Sequence, residues 1–211
     1  LIMASNERVI DSYPIMQTDN VTYFINKGKD SKPDFEYQTN KFLVGEMVDW
    51  GAHTAPALVD IDGDEDLDLV VATNGDHAKT ANLNDYLVYY ENIGSKSNPV
   101  FKQMDTDFAG VKQLGLQRII PEFADLDKDG DYDLYLGNSE GTILEFVNNG
   151  TSSSPDFILN NNKFQNIDVG DASAPYFYDV DENGTIDLLC GTYRGPIHYY
   201  KNLSSAGAVM Q

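Results

Sequence analysis

Two short motifs recur along this chain in a fixed alternating order, and this repetition limits the folds that the chain can adopt. The segments YFINKGKDSKPDF, YYENIGSKSNPVF and EFVNNGTSSSPDF share the pattern Asn-x-Gly-x4-Pro-x-Phe, with asparagines at Asn26, Asn92 and Asn148. A fourth copy begins at Asn202 but stops before its Pro-x-Phe. Successive asparagines are 66, 56 and 54 residues apart. Self-similarity at such periods indicates an array of structural repeats.

The second motif is an acidic segment that lies between successive copies of the first. Its copies are DIDGDEDLDL from Asp60, DLDKDGDYDL from Asp125 and DVDENGTIDL from Asp179, each with a proline four residues before the first aspartate. Apolar, strand-like stretches flank each acidic segment, and an aromatic-rich stretch follows them. The Asn-x-Gly turn then leads to a fourth, more polar strand. Four strands per repeat are typical of a β-propeller blade.

We therefore predict an all-β fold, a β-propeller of four-stranded blades with about three and a half to four blades in this chain. The expected blades are 1–45 (partial), 46–110, 111–165 and 166–211 (partial). The first blade shows only its outer strands, and the fourth stops before its outermost strand. We expect the chain to belong to a larger propeller, for example a seven-bladed one, with a compact four-bladed ring as the alternative.

The alternating carboxylates of the acidic segments predict calcium loops. Calcium takes six to eight oxygen ligands, and a tight loop with acidic residues at alternate positions can wrap one ion. Glycine at position six, as at Gly130 and Gly184, permits a positive φ, and position seven needs only its backbone carbonyl. The expected ligands are Asp60, Asp62, Asp64, Asp66 and Asp68 in the first loop, Asp125, Asp127, Asp129, Asp131 and Asp133 in the second, and Asp179, Asp181, Asn183, Thr185 and Asp187 in the third.

Other interpretations of the acidic segments fit the sequence less well. An EF-hand requires a bidentate glutamate at position twelve, where this chain has Val71, Leu136 and Cys190. EF-hands and dockerin-type pairs also require flanking helices, whereas these flanks have strand patterns. Solvated acidic turns that bind nothing are the remaining alternative, and they would leave the repulsion between their carboxylates uncompensated.

The first acidic loop departs from the pattern of the other two. Glu65 occupies its glycine position, and a non-glycine residue at positive φ costs on the order of 1 kcal/mol. We therefore expect about three calcium sites, with weaker binding in the loop that begins at Asp60.

The acidic loops resemble FG-GAP/VCBS repeats, which occur in the integrin α-subunit propeller and in many secreted bacterial proteins. The resemblance covers roughly residues 21–205 and rests on the pattern Asp-x-Asp/Asn-x-Asp/Asn-Gly-x-x-Asp-Leu with the later glycines Gly137 and Gly191. It departs at Glu65 and Ala72. The resemblance implies a propeller with calcium in the loop between the first and second strands of each blade. It implies no single activity, because members include adhesins, lectins and polysaccharide lyases.

If the calcium loops lie on one rim of the propeller, the loops at the other ends of the strands lie on the opposite rim. Loops on a rigid scaffold commonly carry recognition. The residues expected on this second rim combine aromatic and polar groups suited to a sugar or a protein side chain, namely Trp50, His53, His77, Arg118, Tyr193 and Arg194. Packing of Trp50 and Tyr193 between blades is the alternative.

These features predict an extracellular, calcium-stabilised binding or adhesion module that recognises a glycan or protein partner. The chain has no nucleophile elbow, metalloprotease helix motif or phosphate loop, so we do not expect an enzyme. Two alternatives stay open: an accessory or catalytic part of a secreted, lyase-like polysaccharide-degrading enzyme, and a purely structural spacer.

Charge and composition limit the partners and the location. The net charge of −20 argues against nucleic acid, and no apolar run approaches the length of a membrane span. The start lacks the pattern of a signal peptide, yet exposed calcium loops fill best at millimolar calcium, which favours a secreted or cell-surface protein. The single cysteine, Cys190, rules out an internal disulfide and is expected to be buried. Further expected partners are the remaining blades or domains of a larger parent protein.

Overall fold

The computed structural model describes residues 2–4, 21–29, 31–39, 54–73 and 84–211. These residues form fourteen β-strands and two short 3₁₀ segments, and they contain no α-helix. The strands are β1 (Ile2–Ala4), β2 (Val21–Asn26), β3 (Phe35–Thr39), β4 (Ala55–Val59), β5 (Asp68–Thr73), β6 (Tyr86–Asn92), β7 (Phe101–Asp105), β8 (Ile120–Ala124), β9 (Asp133–Gly137), β10 (Ile143–Asn148), β11 (Phe157–Asn161), β12 (Ala174–Tyr178), β13 (Asp187–Gly191) and β14 (His198–Tyr200).

The strands form four antiparallel sheets that follow one another along the chain. Sheet 1 contains β1 to β3, sheet 2 contains β4 to β7, sheet 3 contains β8 to β11 and sheet 4 contains β12 to β14. Within each sheet every strand pairs with its neighbour in sequence. The all-β prediction is confirmed, and each sheet lies inside one of the four predicted segments. The described residues show four sheets in series and no closed ring, so the propeller itself stays a prediction.

The first and last sheets differ from the sequence-based expectation in their strands. Sheet 1 has an additional strand, β1, which pairs with β2 and places Ile2 opposite Tyr23. Three residues are too few to show a periodic pattern, which is why the sequence did not reveal this strand. Sheet 4 ends at β14, but the backbones of Lys201 and Gln211 exchange two hydrogen bonds of 2.9 and 3.0 Å. The last residues thus pair where the fourth strand begins in sheets 2 and 3.

Burial follows the order of the strands within a sheet. Every residue of β5 and β9, the second strands of sheets 2 and 3, is buried. In the fourth strands, β7 and β11, every residue after the first is exposed. The strands that the sequence predicts after the acidic loops are therefore confirmed, and in these two sheets they are completely buried.

A first apolar core joins sheets 2 and 3. It contains Val70 and Leu87 of sheet 2 and Leu134 and Phe146 of sheet 3. The 3₁₀ segment Phe108–Leu114, which connects the two sheets, adds Phe108 and Val111 to the same core. The connection between the sheets therefore also forms part of their packing.

A second apolar core joins sheets 3 and 4 and is rich in aromatic rings. The ring of Tyr135 lies 5.0 Å from that of Phe164 and 4.6 Å from that of Phe177, measured between centroids. Phe164 begins the 3₁₀ helix Phe164–Asn166 and so has the same role as Phe108 in the first core. Cys190 is fully buried in this core, as predicted, and burial raises the pKa of its thiol.

The first strands of sheets 2, 3 and 4 lie side by side. Strand β8 contacts both β4 and β12. Because the strands of each sheet run antiparallel, this arrangement brings the turns between first and second strands together at one end of the three sheets. The turns between second and third strands lie at the opposite end.

Candidate functional site

The three acidic segments form the turns between the first and second strands of sheets 2, 3 and 4. The registers that close these turns pair Val59 with Asp68, Ala124 with Asp133 and Tyr178 with Asp187. The turns of sheets 3 and 4 touch, since the Lys128 Nζ donates a hydrogen bond of 2.9 Å to the carbonyl of Gly184. The acidic segments therefore occupy one end of the array, as the sequence predicted.

The first aspartate of each loop organises the turn by accepting backbone hydrogen bonds from position six. Asp60 Oδ2 accepts from the Glu65 N–H at 2.9 Å, and Asp179 Oδ2 accepts from the Gly184 N–H at 2.8 Å. Asp125 Oδ2 accepts the equivalent bond from Gly130 at 3.2 Å. Each loop is therefore wrapped around its own first carboxylate.

Position six has a positive φ in all three loops, as predicted. The values are 99° at Gly130, 84° at Gly184 and 71° at Glu65. Glutamate therefore adopts the left-handed conformation in the first loop, which costs on the order of 1 kcal/mol.

Position four also has a positive φ in every loop, which the sequence analysis did not predict. The values are 75° at Gly63, 62° at Lys128 and 57° at Glu182. Each loop thus contains one glycine and one non-glycine residue in the left-handed region. The glycine comes first in the first loop and second in the other two loops. The strain that we expected to weaken the first loop is present once in each loop. This strain therefore does not distinguish the first loop from the others, and its weaker binding stays a prediction.

Each loop brings three carboxylates close enough to hold one cation. In each group the contributing oxygen atoms lie within 4.8 Å of one another. The groups are Asp60, Asp62 and Asp64 in the first loop, Asp125, Asp127 and Asp129 in the second, and Asp179, Asp181 and Asp187 in the third. Nine of the predicted ligands therefore converge in three groups. Each group could hold a metal ion, and oxygen-only ligands are compatible with calcium.

Several loop carboxylates bury an oxygen that no hydrogen bond satisfies. Asp125 Oδ1 is buried and has no partner, and the same holds for Asp131 Oδ1 and Asp66 Oδ1 at position seven. Such a buried acceptor costs about 1–3 kcal/mol if nothing pairs with it. A bound cation would pair with these buried carboxylate oxygens, and their arrangement is therefore consistent with a metal site.

At position seven the structure adds a side-chain role to the predicted carbonyl. Burial, followed by the neighbouring Asp64 and Asp129 charges, raises the pKa of Asp66 and Asp131. Thr185, at the same position in the third loop, instead has a hydroxyl, a single donor, within hydrogen-bonding distance of Asn183 Oδ1 and the carbonyl of Asn202. The third loop therefore replaces a buried charge with a neutral donor.

The aspartate at position nine joins the two sequence motifs. Asp68, Asp133 and Asp187 are buried, and in each an Oδ1 accepts the backbone N–H of the motif asparagine at 2.8 Å. The asparagines are Asn92, Asn148 and Asn202. Of these three aspartates, Asp187 alone belongs to one of the converging groups that could hold a metal ion. Asp68 and Asp133 were predicted as ligands, and the structure shows them as anchors between the acidic loop and the next turn.

Burial also affects the charge of these anchors. Burial, together with the nearby charges of Asp127 and Asp129, raises the pKa of Asp133 to about 6. Metal binding requires deprotonated carboxylates, so protons and a dication compete for these loops.

The motif asparagines complete the connection by closing the second type of turn. Asn148 Oδ1 accepts the backbone N–H of Gly150 at 3.0 Å and of Asp156 at 2.8 Å, and Asn26 and Asn92 make equivalent bonds. A Cβ atom on Gly150 would lie 2.1 Å from the carbonyl oxygen of Ser154. This glycine is needed because two backbone segments approach closely there.

The third acidic loop has a counter-ion that the sequence analysis did not identify. Lys201 Nζ forms an ion pair with Asp181, one of the three converging carboxylates. The residue at the equivalent position of sheet 2 is Glu91. An ammonium group beside a ligand carboxylate competes with a cation for it, so the three loops differ in local charge.

Those predicted binding residues that the structure describes lie at the end of the sheets opposite the acidic loops. Arg118 precedes β8, and Tyr193 and Arg194 lie between β13 and β14. The guanidinium carbons of Arg118 and Arg194 lie 5.0 and 5.3 Å from the centroid of the Tyr193 ring. Trp50, His53 and His77 lie outside the described residues. The structure therefore brings together the three predicted residues that it describes.

Tyr193 lies at the protein surface, where its ring contacts Arg118 from the segment before sheet 3. Its residue is 52% exposed, and both arginines are exposed as well. The exposure of Tyr193 favours recognition, but its binding role and its packing between blades both stay predictions.

Comparisons with known proteins give no family for this chain. No model of a known protein family matches the sequence, and a search of curated proteins finds no significant similarity. In the described part of the chain, no helix has the length and apolar character that a membrane crossing requires.

Proposed function

We propose that this chain is a calcium-stabilised segment of a β-propeller that binds a glycan or a protein partner, in a secreted or cell-surface protein. The observation that carries the proposal is the separation of two chemistries at opposite ends of the sheets. One end holds three groups of carboxylates, and the other holds two arginines around an exposed tyrosine. The first end suits structural cations, and the second suits recognition.

Calcium is the proposed cation because of the ligands that each loop offers. All three groups consist of carboxylates, without histidine or cysteine, and hard oxygen ligands favour calcium or magnesium over transition metals. Calcium accepts irregular geometry and many ligands, whereas magnesium demands a near-ideal octahedron and retains water. Loops of ten residues that differ in composition suit the more tolerant ion. Calcium sites of extracellular modules bind with dissociation constants of about 10⁻⁴–10⁻³ M, which supports the proposed location.

The proposal of a larger propeller rests on the outer face of sheet 4. In sheets 2 and 3, Leu87 and Ile143 occupy the same place in the third strand and are both fully buried against the next sheet. Ile197 occupies that place in sheet 4 and is 72% exposed. Val59 and Ala124 at the ends of the first strands are 4% exposed, whereas Tyr178 at the same position of sheet 4 is 59% exposed. Sheet 4 thus presents apolar residues where its predecessors pack on a neighbour.

The binding function is testable with the full chain in calcium-containing buffer. Arrays of glycans and of cell-surface proteins are screened for binding, and positive ligands are then measured by calorimetry. We expect a Tyr193→Ala/Arg194→Ala variant to lose at least tenfold in affinity, because it removes the ring and one guanidinium. Lys96→Ala is the matched control, since Lys96 is an exposed cation that pairs with Glu65 at the acidic-loop end. Equal loss in both variants, or no loss in either, would contradict the proposed surface.

The same ligands separate the proposed function from its two alternatives. A lyase-like enzyme would release unsaturated sugar ends from a uronic-acid polymer, which ultraviolet absorbance detects. A structural spacer would bind none of the arrayed ligands. Binding without turnover supports the proposal.

A further inference from the structure

One cationic cluster stands apart from the strongly acidic character of the chain. The chain carries 34 aspartates and glutamates against 14 lysines and arginines. Arg118 and Arg194 nevertheless lie near the same ring, and among the described residues neither guanidinium is within ion-pairing distance of a carboxylate. Two like charges held near one ring repel each other, and a bound anion relieves that repulsion.

The backbone holds Arg118 in a conformation that local preference disfavours. Its φ is 53°, and a non-glycine residue in this region persists only where the surrounding structure imposes it. Hydrogen bonds hold the backbone of the residues on both sides of Arg118. The carbonyl of Gln117 accepts the Ser139 N–H at 2.8 Å, and the Ile119 N–H donates to Asp85 Oδ2 at 3.2 Å. The arginine is thereby presented from a fixed segment.

The segment that carries Tyr193 and Arg194 is also held in place. The Tyr193 N–H donates to the carbonyl of Asp171 at 3.2 Å. A Cβ atom on Gly195 would lie 2.5 Å from the Thr192 hydroxyl oxygen, which shows how tightly this turn closes. Preorganised side chains lose less conformational entropy on binding than mobile ones.

The chemistry of the three side chains defines the group that they recognise. A guanidinium offers five N–H donors and no acceptor, and its planar fork matches a carboxylate or a similar oxyanion. The Tyr193 hydroxyl can add a further hydrogen bond, and the exposed ring edge offers apolar contact. The cluster therefore suits one oxyanion attached to a partly apolar ring rather than a run of charges.

The charge of the whole chain gives a second restriction on the ligand. A net charge of −20 repels an extended polyanion over distances of about 8 Å at physiological ionic strength. A ligand that carries one anionic group within an otherwise neutral surface is repelled less strongly than a nucleic acid or a polyglutamate segment.

We propose that Arg118, Tyr193 and Arg194 form a subsite for a carboxylate or sulfate group carried by a sugar of a glycan ligand. This inference rests on the proposed function, because it assigns a ligand class to the same surface. It goes further in naming the charged group and the residues that bind it.

Calorimetry with matched oligosaccharides tests the subsite in the full chain with calcium. The probes are a galacturonate trimer, a neutral galactose trimer and a sulfated galactose trimer, with tetraglutamate as the peptide probe. The galacturonate and sulfated arms separate the two possible oxyanions. We expect at least one charged trimer to bind tenfold or more tightly than the neutral trimer. We also expect its affinity to fall as salt concentration rises.

Three variants connect the binding to the arginines. Arg118→Gln and Arg194→Gln each should reduce the affinity for the charged trimer at least fivefold more than the affinity for the neutral trimer. Arg194→Lys retains the charge without the fork and should give an intermediate loss. Lys96→Gln removes one charge at the other end of the sheets and should have no effect. An unchanged melting temperature shows that each variant is folded.

The results distinguish failure of this inference from failure of the proposed function. Equal binding of charged and neutral trimers, with no effect of either arginine, would refute the oxyanion subsite while keeping a glycan-binding surface. Binding of tetraglutamate alone would refute the glycan as ligand. Absence of binding by all four probes, together with a negative array screen, would refute both proposals.

Discussion

Replacing Asp127 with asparagine tests whether the acidic loops hold calcium or only tolerate their own charge. Asp127 belongs to the second converging group and is exposed, and its strongest described bond is a long one of 3.4 Å from the Asp129 N–H. Asparagine keeps nearly the same shape. The variant therefore removes one negative charge and one candidate metal-binding oxygen without disturbing the packing of the loop.

The expected effect depends on calcium. At a calcium concentration one hundred times the dissociation constant, one site stabilises the folded state by about 2.7 kcal/mol. Loss of a charged ligand should remove most of this, which corresponds to a decrease of roughly 4–10 °C in melting temperature for a chain of this size. In excess chelator the same change relieves repulsion between Asp127 and its neighbours, so stability should stay equal or rise by a few tenths of a kcal/mol.

Thermal unfolding followed by circular dichroism, in 10 mM calcium and in excess EDTA, measures both values. Asp133→Ala is the companion variant, because Asp133 is buried and its Oδ1 accepts the Asn148 N–H at 2.8 Å. It should lose about 1–3 kcal/mol in both buffers. If Asp127→Asn lowers the melting temperature equally with and without calcium, or if EDTA leaves the melt of the unaltered protein unchanged, the calcium assignment is wrong.

Three further predictions concern residues outside the metal groups. Gly150→Ala should destabilise the protein by about 2 kcal/mol or more in urea unfolding, because the new Cβ would lie 2.1 Å from the Ser154 carbonyl oxygen. Gly130→Ala is the comparison: its φ is 99° and no atom lies within 4 Å of the new Cβ, so it should cost only about 1 kcal/mol in chelator. Burial raises the pKa of Glu122 to about 7, so the stability of the unaltered protein should fall as pH rises from about 4.5 to 7. Glu122→Gln should lack this component and gain about 1–2 kcal/mol at pH 8; an identical pH profile for both proteins would contradict it. Phe164→Ala should cost about 3–5 kcal/mol with or without calcium, since Phe164 is 1% exposed and belongs to the aromatic core rather than to an acidic loop.

Repetition made the strand positions predictable from the sequence. The acidic segments and the Asn-x-Gly motif are separated by stretches that had to be strands, and β5 and β9 occur there with complete burial. The positive φ at Gly130 and Gly184 was predictable because glycine reports that requirement directly. Structural features that depend on a recurring residue type could therefore be predicted from the sequence.

Other features of the loops leave no mark in the residue type. Position four has a positive φ at Lys128 and Glu182, where the sequence shows two ordinary charged residues. The role of Asp68 depends on a hydrogen bond to Asn92, which lies 24 residues further along the chain. Spacing within one motif cannot show that two motifs meet, and so the sequence predicted Asp68 and Asp133 as metal ligands without revealing that they also anchor the next turn.

The anchoring aspartates determine how far calcium can act on the fold. Asp133 connects the second acidic loop to Asn148, which in turn closes the turn between the third and fourth strands of the same sheet. A cation in the loop therefore stabilises one end of all four strands of its own sheet. Contact between sheets depends instead on buried apolar residues such as Phe108 and Phe164. Removal of calcium should thus loosen the acidic-loop end of each sheet before the sheets separate, and the Arg118–Tyr193–Arg194 cluster at the opposite end should retain its arrangement during that first step.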